Sequence, residues 1–143
     1  MRIYWLGHAS FLIESGGKKL ITDPFDESLG YPVAEEEVEL ATVSHGHWDH
    51  CAVDRLKGNP VKVQTTGEFE AEGFKISGFP TYHDKSKGKE RGPNIIFKIE
   101  VEGITLLHLG DLGHKLDTQQ SAALGKIDIL MVPVGGVYTV DAR

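Results

Sequence analysis

Short apolar runs separated by glycine- or charge-marked turns recur along the whole chain. Residues 3–6 read as a first strand, and 10–14 and 18–23 as two more around Gly16-Gly17, a two-residue hairpin signal. Pro24 closes the third strand because its nitrogen cannot donate to a ladder. Residues 25–32 read as loop and Glu35-Glu36-Glu37 as a solvated face. Residues 40–44 predict a short apolar strand and 52–56 a short helix. Further strands are predicted over 61–64, 69–70 and 74–79, then a second hairpin, 94–101 with 104–109, about Glu102-Gly103. Residues 118–124 predict a helix with Asp117 as N-cap. The unbroken apolar run 127–134 predicts a strand buried on both faces. The charged, glycine-containing stretch 84–92 reads as a mobile surface connector, or as a flap meeting an anionic substrate. The sequence shows no repeat, low-complexity tract or linker.

The chain has 143 residues, 40% of them hydrophobic and 25% charged, which suits one domain with one modest core. A formal charge of −6 without a long basic run argues against a nucleic-acid partner. Cys51 is the one cysteine, so no intrachain disulfide forms, as suits a reducing compartment. It reads as a packed small residue at a helix start rather than as a ligand. There is no apolar signal region and no run of the ~20 apolar residues a membrane span needs. A cytoplasmic protein without membrane contact is expected.

Candidate chemistry concentrates in His45-Gly46-His47-Trp48-Asp49-His50, three imidazoles and a carboxylate just after the 40–44 strand. Histidine is the commonest metal ligand, and Zn²⁺ accepts imidazole nitrogen and carboxylate oxygen. Residues two apart in extended backbone share a face, so His45 and His47 can reach one ion together. A turn after them aims Asp49 and His50 at a second ion. Paired hydrolytic metals sit roughly 3.5–4 Å apart around a shared water or hydroxide. The plain alternative, a polar loop with coincident histidines, fits the composition and spacing poorly.

The order of elements now matters: strands, a His-x-His-x-Asp-His loop, a lone histidine, then Gly-Asp after an apolar strand. It resembles the metallo-β-lactamase fold superfamily of metal-dependent hydrolases, most closely the branch with the ascorbate-6-phosphate lactonase-like proteins. The matching phrases are Leu6-Gly7-His8-Ala9-Ser10-Phe11-Leu12-Ile13, the histidine cluster, Thr81-Tyr82-His83-Asp84, His108-Leu109-Gly110-Asp111-Leu112-Gly113-His114 and Val132-Pro133-Val134-Gly135-Gly136. The resemblance implies an αββα four-layer sandwich of mixed α+β and α/β character, built from two related halves. It implies His45, His47 and His83 as one metal site, Asp49 and His50 in a second, and Asp111 bridging both. A donor set without thiolates suits Zn²⁺ first, with Mn²⁺ or Fe²⁺ as alternatives, and the family implies two ions.

In the family a further histidine, after the strand ending at Gly135-Gly136, completes the second site. Here none of the seven histidines follows His114. The chain therefore reads as a single domain over 1–143, C-terminally incomplete in its second half. It is either a truncated product of a longer protein, or one completed by a second polypeptide or a swapped homodimer.

Other residues carry competing readings. Asp111 reads as a ligand or as a turn or cap aspartate, and His83 alone would be a surface histidine. His8, at a strand end, is a candidate for supporting the ligands or touching substrate. Asp23 is a strand-ending turn aspartate, or the partner of a ligand histidine's second ring nitrogen. His114 divides between facing the metals or substrate and bonding locally. His108, inside an apolar strand, reads as a satisfied buried histidine. Trp48 packs beneath the cluster, or forms an aromatic wall for substrate.

The expected activity is that of a metal-dependent hydrolase acting on a small molecule. A metal-bound hydroxide attacks an ester, lactone, thioester or phosphoester, with Asp49 or Asp111 as the catalytic carboxylate that orients it and takes its proton. The rival is a non-catalytic metal-binding or assembly module, or a fragment that needs a partner chain. A β-lactamase role is disfavoured by the lack of an export signal. A redox diiron role is disfavoured because the oxygen-reducing members carry glutamate where this chain has His47.

Overall fold

Central strands with apolar side chains on both faces must be covered from both sides, and that requirement sets the layering here. The computed structural model describes residues 1–141; Arg143, the end of the expected domain, lies outside them. Ten strands form two five-stranded sheets. The first contains β1 (Arg2–Gly7), β2 (Ser10–Ser15), β3 (Lys18–Thr22), β4 (Leu40–Thr42) and β5 (Val61–Val63), in that spatial order. The second contains β6 (Gly67–Ala71), β7 (Phe74–Tyr82), β8 (Pro93–Val101), β9 (Ile104–His108) and β10 (Ile129–Met131), ordered β10-β9-β8-β7-β6. Both sheets follow one plan: antiparallel hairpins extended by parallel pairing, β3 with β4 and β4 with β5 in one, β9 with β10 in the other.

Alternation along each strand sorts side chains between layers. Ile13, Leu20 and Leu40 meet Phe74, Phe97 and Leu106 between the sheets. Their neighbours Leu12, Ile21 and Ala41 point outward under Val38, Val53 and Leu56. On the far side, Ile96 and Leu107 pack with Leu124 of the helix α1 (Thr118–Leu124). The order is cover, sheet, sheet, cover: the expected metallo-β-lactamase-type sandwich.

Most predicted elements form within a residue or two of their expected ends. The Gly16-Gly17 turn has positive φ at both residues, and Asp117 caps α1 in a capping box with Gln120. Three expectations need correction. Residues 52–56 form one 3-10 turn, Val53–Arg55, rather than a helix, and Cys51 sits half-buried before it against the outer face of the first sheet. Residues 25–32 include a 3-10 turn, Glu27–Leu29, capped by Asp26. The run 127–134 is not buried on both faces. Among the described residues β10 is an edge strand that packs Ile129 and Met131 inward, while Leu130 is 53% and Val134 70% exposed. No helix among the described residues is long and apolar enough to cross a membrane.

Candidate metal centre

Every candidate ligand lies just beyond the carboxyl end of a strand, on one rim of the sandwich. His8 follows β1, Asp23 follows β3, the 45–50 loop follows β4, His83 follows β7 and Asp111 follows β9. Two contacts tie the sheets together there: the Ile95 amide donates to the Ser44 carbonyl at 2.8 Å, and His108 Nε2–H donates to the Ala9 carbonyl at 2.8 Å. The first bond anchors the strand that carries Asn94, and Asn94 Oδ1 accepts from the Asp111 amide at 3.0 Å. Asn94 is fully buried and also donates to Thr81 Oγ1 and the Leu109 carbonyl. It is a positioning residue that the sequence analysis missed; its signal was a lone amide heading an apolar strand. Gly110, at φ +54, takes the chain into Asp111, and a Cβ there would meet Ser44 and Asn94 at 2.5–2.7 Å.

The ligand atoms converge in groups. His45, His47 and His83 each offer an atom within 4.8 Å of the others, and so do His8, Asp49 and His50. Asp111 Oδ2 lies between the groups, 3.0 Å from His83 Nε2, 3.1 Å from His50 Nε2 and 3.6 Å from His45 Nε2. His8 Nε2 is 3.0 Å from both Asp49 Oδ2 and His50 Nε2, which places His8 inside the cluster rather than behind it. His8 and Asp23 both have positive φ, a conformation that costs a residue with a Cβ and that tends to be kept at functional sites.

Asp23 is fully buried and also falls in a ligand-like group with His45 and His50. Its oxygens are already in use. They accept from the Ser44 amide at 2.7 Å, the Ser44 hydroxyl at 2.6 Å and His50 Nδ1–H at 2.8 Å. Because the Ser44 hydroxyl gives its proton to Asp23, it can only accept from His45 Nδ1–H, 2.8 Å away. One carboxylate thus engages the Nδ1 side of two histidines, one directly and one through a hydroxyl, and turns both Nε2 atoms toward the cluster. Ser44 is a second residue the sequence analysis missed, because this role depends on a contact from another strand.

The electrostatics express the same convergence. Burial opposes charge on His50, but hydrogen bonds and charges from Asp111 and Asp23 overcome it and lift the imidazole to about 10. Burial, helped by the charge on His50, pushes His45 down to about 4. Burial works against the Asp111 carboxylate, yet His50, then His45 and His83, hold it well below the usual range. His45 Nε2 and His83 Nδ1 are buried without a hydrogen-bond partner among the described residues. The unpartnered His45 Nε2, with the other ring nitrogens that converge on the half-buried Asp111 carboxylate, is satisfied by a cation, so these residues fit a metal site.

The remaining candidates separate clearly. His114 stays local: Nε2 accepts from the Tyr82 amide at 3.2 Å and Nδ1–H donates to the Lys115 carbonyl at 2.8 Å. It falls in none of the ligand groups. His108 is buried, with Nε2 engaged as described and Nδ1 unpartnered. Trp48 does not pack beneath the cluster; it is 62% exposed and lines a cavity of about 1070 Å³, together with His8, His47, Asp49, His83 and Asp111. The 84–92 stretch is not a loose connector. The buried Asp84 carboxylate accepts from the amides of Ser86, Gly88, Glu90 and Arg91 at 2.8–3.1 Å.

Comparisons with known proteins agree with this architecture. The family model described as the beta-lactamase superfamily domain matches residues 2–143. A UPF0173 metal-dependent hydrolase of Carboxydothermus hydrogenoformans is 33% identical, with 100% of this chain and 76% of that protein covered. One from Archaeoglobus fulgidus is 32% identical, with 98% and 74% covered. A crystal structure from Thermotoga maritima, assigned to the metallo-beta-lactamase superfamily, superposes with a TM-score of 0.79 at 41% identity. The match covers 97% of this chain and 64% of that one, so the chain spans less than two thirds of that protein's length. The chain belongs to the beta-lactamase superfamily and has its metallo-beta-lactamase fold.

Proposed function

We propose that this protein is a metal-dependent hydrolase of small molecules. His45, His47 and His83 would hold one cation, and His50 and Asp49, with His8 beside them, would hold a second next to the Asp111 carboxylate. The convergence of the His45, His50 and His83 ring nitrogens on Asp111 Oδ2 carries this reading. The relatives described as metal-dependent hydrolases support it. Because both sheets contribute to one cluster, the chain is read as a single domain.

A divalent cation in such a site lowers the pKa of a coordinated water and polarises the bond to be cleaved; Zn²⁺ suits these donors best, with Mn²⁺ or Fe²⁺ next. The chain's own residues do the rest. Asp23 keeps His50 and, through Ser44, His45 in the tautomers that present Nε2. Asn94 holds the Asp111 backbone, so its carboxylate stays between the histidines. Asp49 lines the cavity, and its Oδ2 is oriented by His8 Nε2 at 3.0 Å. It accepts the proton of the attacking water. The electrophile is a carbonyl or phosphoryl centre of an ester, lactone, thioester or phosphoester.

Elemental analysis of protein purified without chelator, together with a panel of ester, lactone and phosphodiester substrates, tests the proposal. About two ions per chain and metal-dependent turnover are expected. Asp49→Ala should retain the fold and lose about 10²–10⁴-fold in kcat. One ion or none, with silence across the panel, would instead favour a non-catalytic metal-binding module.

A further inference from the structure

The wall of the cavity beyond the metal cluster has a chemistry of its own. Trp5, Trp48, Val134 and Val137 line it while remaining 62–80% exposed, a large apolar surface open to a ligand. Among the described residues one lysine or arginine lines it, Arg91. The other cations of that loop, Lys85, Lys87 and Lys89, are exposed and do not line the cavity. The Arg91 guanidinium lies 3.5 Å over the centre of the Tyr138 ring, which also lines the cavity.

Stacking uses the face of a guanidinium and leaves its in-plane N–H donors free. Among the described residues no carboxylate lies within ion-pair distance of Arg91. Its backbone is held, because the Arg91 amide donates to Asp84 Oδ2 at 2.8 Å within the ring of amides that closes the loop. Asp84 directly follows His83, so the cation is carried on a clamp that begins at the metal cluster. A cationic fork that is half-buried, unpaired and fixed in place fits a planar anion. Apart from any cation held at the cluster, Arg91 is therefore the positive group of the cavity wall among the described residues. A volume of about 1070 Å³ is far more than a small inorganic anion needs and matches an organic molecule.

We propose that the cavity takes an amphipathic organic anion, its apolar body against the tryptophans and valines and its carboxylate or phosphate on the Arg91 guanidinium. This rests on the reading above only in taking the cavity as the substrate's.

Both tryptophans of the chain line the cavity, so intrinsic fluorescence reports on its occupancy. The experiment titrates hydrocinnamate, phenethyl phosphate and hydrocinnamyl alcohol into the purified protein and into Arg91→Gln and Arg91→Lys, with metal content matched by elemental analysis. Wild type should bind at least one anion more tightly than the alcohol, and which anion identifies the group. Arg91→Gln should weaken that anion about ten- to a hundredfold and leave the alcohol unchanged. Arg91→Lys should keep part of the preference. An unchanged preference in Arg91→Gln, an equal loss for the alcohol, or no fluorescence response to any probe in wild type overturns the proposal. The titration needs no turnover. Absence of hydrolysis would therefore sink the hydrolase reading while leaving the anion preference measurable, and turnover without the preference would do the reverse.

Discussion

At the scale of single residues, Asp23 organises more of the centre than any residue in the histidine loop. Burial alone would raise its pKa. The His50 hydrogen bond, the charges on His108 and His50, and the Ser44 hydroxyl reverse that and hold it below the usual carboxylate range. Asp23→Asn keeps the shape and removes the charge, so His50 loses the acceptor that fixes its Nδ1 proton. Metal affinity should fall about 10–100-fold, read by competition with a chelator, while the far-ultraviolet spectrum stays native. Unaltered affinity would mean that Asp23 only packs. His45, His47, Asp49 and His50 stand out in the sequence because they fall within six residues and their spacing is itself the chemical signal. Asp23 was readable only as one of two options, and the choice depended on which histidine folded against it. Ser44 and Asn94 gave almost no signal, since a serine or an asparagine at a strand end has many uses. His114 could not be placed either, because its position relative to Asp111 depends on the conformation of the turn between them.

Elements show the same division between local and distant causes. Hairpins about Gly16-Gly17 and Glu102-Gly103 were legible because a period of two and a left-handed turn are both local properties. Of the two readings of the 84–92 stretch, the mobile connector fails because the order of the loop comes from a single buried side chain. Asp84 satisfies four amides, and Gly113 lets the neighbouring turn approach so closely that a Cβ would meet the His83 and Asp84 backbone at 2.3–2.5 Å. Asp84→Ala should speed hydrogen exchange at the amides of Ser86, Gly88 and Arg91 and lower the melting temperature. The sign of its pH dependence follows from the hydrogen bonds. Against the opposing effect of burial, they hold the Asp84 carboxyl well below the usual range. Its stabilisation is therefore complete above the unfolded value of about 3.9 and is lost as the pH falls toward the depressed one. The difference in melting temperature between wild type and Asp84→Ala should shrink below about pH 4; a constant difference down to strong acid would show that the carboxylate's charge is not what holds the loop. The run 127–134 was misjudged for another reason. Apolar composition does not say whether a strand is central or at an edge, and among the described residues β10 pairs with β9 alone.

The whole molecule joins two sheets whose shared rim carries the candidate ligands. His45, His47 and His50 come from the first sheet, and His83 and Asp111 from the second. On the proposed reading, a cation held between them would act as a clip that the unfolded chain cannot match. Zn²⁺ at about a hundred times its dissociation constant should add about 2.7 kcal/mol to stability, and a chelator should remove it. Melting temperatures that stay flat across a Zn²⁺ titration would show that the sheets do not share an ion. The sandwich was legible through the family resemblance that the ordered motifs carry, whereas the cavity was not, since its wall draws on segments as far apart as Trp5 and Tyr138. The rim also sets an order in time. His8, Asp49 and His50 are all synthesised by the time the ribosome reaches His50, while His83 and Asp111 emerge much later. A nascent chain would thus own the His8, Asp49 and His50 donors before Asp111, which lies among the ring nitrogens, has been made, and both groups wait on pairing between distant segments, which is slow to form. Filling of either position should therefore wait until the second sheet has joined the first, which makes metal loading a late event of biosynthesis.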